Sequence, residues 1–302
     1  MTLHVLEAGF RSTVQDRGRF GHLRSAIPIA GPADPLAFEA AQRLVGNTPA
    51  DMAAIEIVGV PFRFTLDEPR LIAASGPDVR VRTRGGVGGW TAIFVRAGEE
   101  VTVEGSERTR FAYLAVSGGL ALEAVLGSRA TYLPAAIGPL PRPLAAGDKL
   151  PLGAARWGAD RAGRSLLLRG DDGAVRVMRG PHAERVRGAD AFMRGTTLRV
   201  SQRSDRMGVR LEGAALETGG PEILSHGVAA GAIQVPHGGD PIVLLADGQT
   251  TGGYPVIATV IGADLGAVAQ ALPGGSLSFY EVDRRAAVEA LRALRDLLDS
   301  VA

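Results

Sequence analysis

Apolar residues fall in short runs at 71–74, 91–95, 101–103, 111–116, 175–178, 197–200, 242–245 and 276–282, several of them alternating or β-branched. A period of two, or a brief apolar run bounded by turn residues, is the signature of a strand. Forty-one glycines and eighteen prolines supply the punctuation. Many short strands at regular spacing predict a mainly β chain with a few helices, built as β-rich lobes of barrel or sandwich type. Closing such sheets into barrels removes their exposed edges. No short fixed repeat is present, which argues against solenoids and propellers.

Three stretches carry a helical signal instead. Asp34-Pro35 followed by Leu36, Ala40 and Leu44 and then Gly46-Asn47 combines an N-cap, a proline at the first helical position and a glycine stop. A second, short helix is expected over 264–271, ended by Pro273-Gly274-Gly275. The third, over 283–301, sets Ala286, Ala290, Leu291, Leu294, Leu297 and Leu298 on one side with Arg and Glu opposite, and calls for a surface to cover. The stretch 153–163 is small, polar and aperiodic. It is the expected boundary between an N-terminal β-rich subdomain over 1–155 and a C-terminal one over 164–302 that carries the terminal helix.

Composition narrows the chemistry. The 302 residues are 46% hydrophobic, enough for a sizeable core, and 33 Lys+Arg against 32 Asp+Glu leave a formal charge of +1. That balance gives no electrostatic reason to expect nucleic acid or an anionic membrane. No run approaches the ~18 continuous apolar residues of a membrane span. The amino terminus lacks a basic region followed by an apolar one, so a soluble, cytoplasmic protein is expected. With no cysteine, disulfides, thiolate nucleophiles, Cys-ligated zinc and iron–sulfur clusters are closed. His4, His22, His182, His226 and His237 show no metal-ligand spacing, so no metal is expected, and there is no Gly-x-Ser-x-Gly elbow.

Lys149 is the single lysine, so nearly every cation is an arginine. Phosphate loops, pyridoxal Schiff bases and biotin attachment each need a lysine. Lys149 follows Gly147-Asp148 and precedes Leu150-Pro151, with no Ser/Thr after it, and reads as a solvated turn lysine. An ATP site of another kind stays open.

Three clusters can carry chemistry. In the densest, Gly231-Ala232-Ile233-Gln234-Val235-Pro236-His237 precedes an apolar run at 242–246 that delivers Asp247-Gly248-Gln249-Thr250-Thr251-Gly252-Gly253-Tyr254-Pro255 at its end. Glycines permit close backbone approach, and amides and hydroxyls can hydrogen-bond a small polar substrate, although the same residues also build turns. In the second, Arg203, Arg206 and Arg210 surround Asp205, either as a forked anion site or as surface ion pairs. The third is Ser12–Arg19 together with the segment before the first helix, where Asp34 serves best as a cap.

Ordered motifs run through most of the chain: Thr13-Val14-Gln15-Asp16-Arg17-Gly18-Arg19, Gly31-Pro32-Ala33-Asp34-Pro35, Leu44-Val45-Gly46-Asn47, Ala112-Tyr113-Leu114-Ala115-Val116-Ser117-Gly118-Gly119, Val125-Leu126-Gly127-Ser128-Arg129, Ser204-Asp205-Arg206-Met207-Gly208, and the two segments at 231–236 and 247–255. In these the chain resembles the biotin-dependent carboxyltransferase family, also described as allophanate hydrolase subunit 2 or as the C-type subunit of the prokaryotic 5-oxoprolinase. It departs from the pattern at Ala30, where a glycine is usual, at Ala33, and at 236–241, so His237 receives no family role.

The resemblance implies two β-rich subdomains, at least one a cyclophilin-like β-barrel. It implies ATP-dependent opening of 5-oxoproline to glutamate, in a complex with a companion carboxyltransferase-like subunit (B type) and a lactam-processing subunit (A type). Arg206 and Arg17 become candidate anion contacts, and Gln234, Thr250, Thr251 and Tyr254 candidate substrate contacts. Asp247, Gln249 and Asp205 are candidates for the chemistry. ATP belongs to the complex, at a site the sequence does not place, and no biotin is expected on this chain. Two other readings stay open: a carboxyltransferase half of a urea carboxylase-like system with biotin carried elsewhere, and a non-catalytic regulator that binds its partner subunit as a kinase-inhibitor antagonist.

Overall fold

A computed structural model describes residues 1–48, 53–84, 86–155, 159–166, 174–219 and 223–301. The chain forms two compact units: residues 1–20, 30–168 and 297–302 make the first, and 21–29 and 169–296 the second. The first unit therefore takes in 153–163, of which 156–158 lie outside the described residues.

The first unit is built on two antiparallel sheets. One orders β11 (Lys149–Pro151), β1 (Thr2–Glu7), β4 (Phe62–Leu66), β9 (Val101–Glu104), β6 (Arg80–Arg82) and β7 (Val87–Gly88); the other orders β2 (Thr13–Gln15), β3 (Ala54–Ile57), β10 (Ala112–Val116), β5 (Arg70–Ser75) and β8 (Ala92–Val95). One core joins them, with Val5, Phe64 and Val103 from the first sheet and Ile55, Ile72 and Leu114 from the second, each at most 1% exposed. Central strands β5 and β10 are buried along their whole length because α1 (Pro35–Leu44) covers their other face. The helix begins where predicted: the Asp34 carboxylate accepts from the Ala37 N–H at 3.1 Å, with Pro35 following.

The motifs of this unit are spent on one another. Asp16 accepts from Gly18 N (2.9 Å), Ser128 Oγ (2.6 Å) and Arg129 N (2.6 Å), tying the 13–19 motif to the 125–129 motif. The Glu56 carboxylate accepts from the Tyr113 hydroxyl (2.7 Å) and from Ala33 N (2.9 Å), and the Tyr113 oxygen accepts from Asp34 N (2.8 Å). Burial, with Glu56 and Asp34 adding to it, raises the Tyr113 phenol well above its ordinary range, so it stays a donor. Asn47 donates to Val116 O and accepts from Gly118 N. Lys149, expected in a turn, is instead the exposed first residue of β11, in register with His4. The chain turns at 145–148 and is already extended at 149, as the hydrogen bond from Val5 N to Asp148 O shows.

The second unit is a closed seven-stranded barrel ordered β12 (Ala174–Arg179), β21 (Val256–Val260), β18 (Ala232–Gln234), β19 (Ile242–Leu244), β15 (Gly208–Glu212), β14 (Arg194–Val200) and β22 (Ser276–Glu281). The parallel pair β12/β22 closes it, and every other neighbour is antiparallel. Val177, Leu198, Val209, Ile233, Val243 and Phe279 are at most 1% exposed and fill the inside. Phe192 of α2 (Ala189–Phe192) stacks on Phe279 at 4.8 Å. Two further pairs, β13 (Val186–Arg187) with β16 (Glu217–Thr218) and β17 (His226–Gly227) with β20 (Thr251–Gly252), flank the barrel.

Helices α3 (Leu265–Gln270) and α4 (Arg284–Asp299) occupy the two remaining predicted stretches. On α4 the stripe from Ala286 to Leu297 is half-buried, and Leu298 is buried. Asp283 caps α4 through Ala286 N. Asp264 stands at the cap position of α3 but spends its carboxylate on Arg176, at 2.6 and 2.9 Å.

Candidate functional site

Because the barrel interior is packed with apolar side chains, chemistry falls to its outside. The strand registers set out one outward row: Arg210 lies opposite Ile242, and Ile242 opposite Gln234. Gly208 and Leu244 form the next row on the same face. The alternate residues Val209, Val243 and Ile233 point inward, so the outward direction of Arg210 and Gln234 follows from the pleat. A cavity of about 350 Å³ opens over these rows, lined by Arg210, Gln234, Ile242 and Leu244 below and by Asp205, Met207, Pro236, Gln249 and Tyr254 at its sides.

Two rims bound it, 205–208 and 245–249, and they are clamped side by side. Arg206 Nε donates to Asp247 Oδ2 at 2.9 Å and Arg206 Nη2 to Asp247 Oδ1 at 3.1 Å. In the backbone, Asp247 N donates to Arg206 O and Leu245 N to Met207 O, each at 3.0 Å. Arg206 and Asp247 are buried, and neither lines the cavity. The Asp205 carboxylate accepts from Met207 N (2.8 Å) and Gly208 N (3.3 Å), which fixes its rim.

Across the cavity the Gln249 amide donates to Gln234 Oε1 at 2.7 Å. Gln234 is 1% exposed, and among the described residues its Nε2 has no hydrogen-bond partner. A buried amide donor without an acceptor costs ~1–3 kcal/mol, which a ligand oxygen would recover. Gly252 makes room for this amide: a Cβ there would stand 2.6 Å from Gln234 Nε2. His237 meets the Tyr254 ring edge-on at 6.0 Å. Behind this strip His182 accepts from Val256 N at 3.1 Å and lies 5.0 Å from His226; burial first, then His226 and Arg185, lowers its pKa.

The family model described as "Carboxyltransferase domain, subdomain A and B" matches residues 25–281. The chain belongs to the carboxyltransferase-domain family. This carboxyltransferase-domain chain is 38% identical over 301 residues to the C subunit of 5-oxoprolinase from Escherichia coli strain K12, covering 97% of the chain and 94% of that protein. It is 34% identical to the C subunit of 5-oxoprolinase from Haemophilus influenzae, covering 99% and 97%. The crystal structure of the K. lactis urea amidolyase superposes with a TM-score of 0.89 at 26% identity; all of this chain matches, but only one fifth (20%) of that longer one.

Of the residues singled out in the sequence, the carboxyltransferase-domain fold brings Asp205, Gln234, Gln249 and Tyr254 to the cavity. Arg206 and Asp247 stand behind its wall as a pair. Thr250 is buried and Thr251 lies in the β17/β20 pair; neither lines the cavity. Arg17 belongs to the first unit and binds Glu39 at 3.2 Å. Neither arginine expected to contact an anion lines the cavity: Arg206 binds a buried carboxylate, and Arg17 lies on α1's carboxylate Glu39. Arg210 stands in the arginine cluster of the sequence without a role of its own, and Met207, Ile242 and Leu244 carry no polar signal at all. Strand register brings Arg210, Ile242 and Leu244 to the cavity, and Met207 comes with the rim that precedes β15, although the Gly208-Val209-Arg210-Leu211 alternation already holds the hint. Among the described residues no three His, Asp or Glu side chains converge as a metal site, and no helix is long and apolar enough to cross a membrane.

Proposed function

We propose that this chain is the C-type subunit of an ATP-dependent 5-oxoprolinase that opens the lactam of 5-oxoproline to glutamate. The observation that carries this reading is the 38% identity to a 5-oxoprolinase subunit of that type over nearly the whole length of both chains. The cavity's chemistry supports it. Gln234 Nε2 is a buried donor in want of an acceptor, and a lactam oxygen is one. A donor there polarises the carbonyl and holds the ring over the apolar floor of Ile242 and Leu244. Gln249 locks that amide in place, Asp205 is the carboxylate within reach to orient a water or take a proton, and Tyr254 closes the mouth. Arg206 and Asp247 are positioning residues that hold the rims together.

An unstrained amide is a poor electrophile, so ATP supplies the phosphoryl group that turns its oxygen into a leaving group. The cavity's donors suit a small amide better than a triphosphate, and Lys149 sits on a strand edge with no phosphate loop. The reading therefore leaves ATP to the complex, formed in the cytoplasm with a B-type companion and an A-type lactam-processing subunit. In the reconstituted complex, Gln249→Ala and Asp205→Ala lower 5-oxoproline turnover; full turnover in both variants removes them from the chemistry.

The likeness to urea amidolyase favours a second reading, a carboxyltransferase half acting on urea. It requires biotin on another polypeptide, because the single lysine lies on strand β11. Inhibition of the reconstituted activity by avidin supports that reading, and indifference to avidin supports the first.

A further inference from the structure

One guanidinium at the cavity's edge has no occupation. Among the described residues the Arg210 side chain has neither an ion pair nor a hydrogen bond, while Arg206 and Arg17 are each paired. It shares one outward row with Gln234, separated by Ile242 alone. Two strand spacings put their Cα atoms roughly 10 Å apart, and both residues line the cavity, Gln234 buried and Arg210 exposed. The cavity is thus two-ended, with an amide pair on one side and a free cation on the other. The carboxylate of Asp205, which also lines it, accepts from the N–H groups of Met207 and Gly208 through Oδ1 and makes no ion pair with Arg210 among the described residues.

We propose that Arg210 anchors the carboxylate of the substrate and sets specificity for a small amide or lactam that carries a carboxylate at the end remote from the reacting carbonyl. Planar guanidinium donors match a carboxylate in two places, whereas a neutral amide such as urea offers them one uncharged carbonyl oxygen. The identity of the substrate as 5-oxoproline rests on the oxoprolinase reading; the preference for an anionic over a neutral amide does not.

The test measures binding of 5-oxoproline, its neutral carboxamide and urea to the full-length chain by NMR titration, and KM in the assembled complex. Wild type is expected to prefer the acid over the carboxamide by about ten- to a hundredfold. Arg210→Gln abolishes that preference while leaving the carboxamide's affinity unchanged, Arg210→Lys keeps part of it, and Gln234→Leu weakens both ligands. Equal preference in wild type and Arg210→Gln overturns the proposal, as does failure of both chain and complex to bind any carboxylate. If the complex turns over 5-oxoproline but Arg210→Gln leaves KM unmoved, Arg210 fails and the oxoprolinase reading stands. If Arg210-dependent preference is found without turnover, the reading fails and the anchor stands.

Discussion

Arg206 and Asp247 grip each other as a two-pronged fork, 41 residues apart in sequence and at 2.9 and 3.1 Å in space, with both side chains almost wholly withdrawn from water. Each belongs to a different rim of the cavity. Removing Arg206 strands the Asp247 carboxylate in a buried setting, which costs ~3–5 kcal/mol. Arg206→Met is therefore expected to lower the urea-unfolding midpoint, with a loss of about 3–5 kcal/mol in unfolding free energy, and to raise KM as the rims part. An unchanged midpoint would show that the pair clamps nothing.

Gly252 should be replaceable without loss of fold but not without loss of function. Its backbone is outside the left-handed region, so alanine is conformationally permitted there. The added methyl, however, would sit 2.6 Å from Gln234 Nε2 and force that amide away from Gln249. Gly252→Ala is expected to melt within a few degrees of wild type and to lose about a hundredfold in kcat/KM, the scale of a misplaced reacting group. Wild-type kinetics would remove Gln234 from the site.

Ala30 carries a left-handed backbone, φ 56°, at a position where the family pattern has glycine. For a residue with a Cβ that conformation costs about 1–2 kcal/mol, partly offset by the entropy that glycine loses on folding. Ala30→Gly is predicted to stabilise the protein by ~0.5–1 kcal/mol in chemical denaturation. A destabilised variant would contradict the strain.

His182 makes stability depend on pH. Its pKa in the folded chain lies below the ordinary 6.5, chiefly through burial, so the unfolded chain takes up the proton first. The neutral ring's contribution is complete above about pH 6.5 and is lost as pH falls below it, through the lowered folded value. His182→Asn retains an acceptor for Val256 N without a titrating group. The melting temperature of wild type should drop more between about pH 7.5 and 5.5 than that of the variant; parallel slopes would rule His182 out.

Much of the architecture was legible in the sequence because local rules and tertiary structure agree. Asp34-Pro35 caps and starts α1, and each of the eight apolar runs coincides with a strand to within one residue at an end. Asp264 shows where local rules stop: it stands at the cap position of α3, yet its carboxylate is claimed by Arg176 from a strand 88 residues away. The motifs divide in the same way. In the first unit Asp16, Asn47 and Tyr113 serve to staple loops, and nothing in residue type distinguishes a staple from a site. In the second unit the amide-rich segment and the arginine cluster do meet at one cavity. Which arginine is free depends on register: Arg206 turns to Asp247, whereas Arg210 faces the cavity because Val209 faces inward.

Leaving this chain out of the assembled system decides whether it belongs to lactam opening at all. With companion and lactam-processing subunits, ATP and 5-oxoproline supplied, glutamate should form only when this chain and ATP are both present. Glutamate formation at the same rate without it, or biotin-dependent carboxylation of urea in place of lactam opening, would contradict a role as an oxoprolinase subunit.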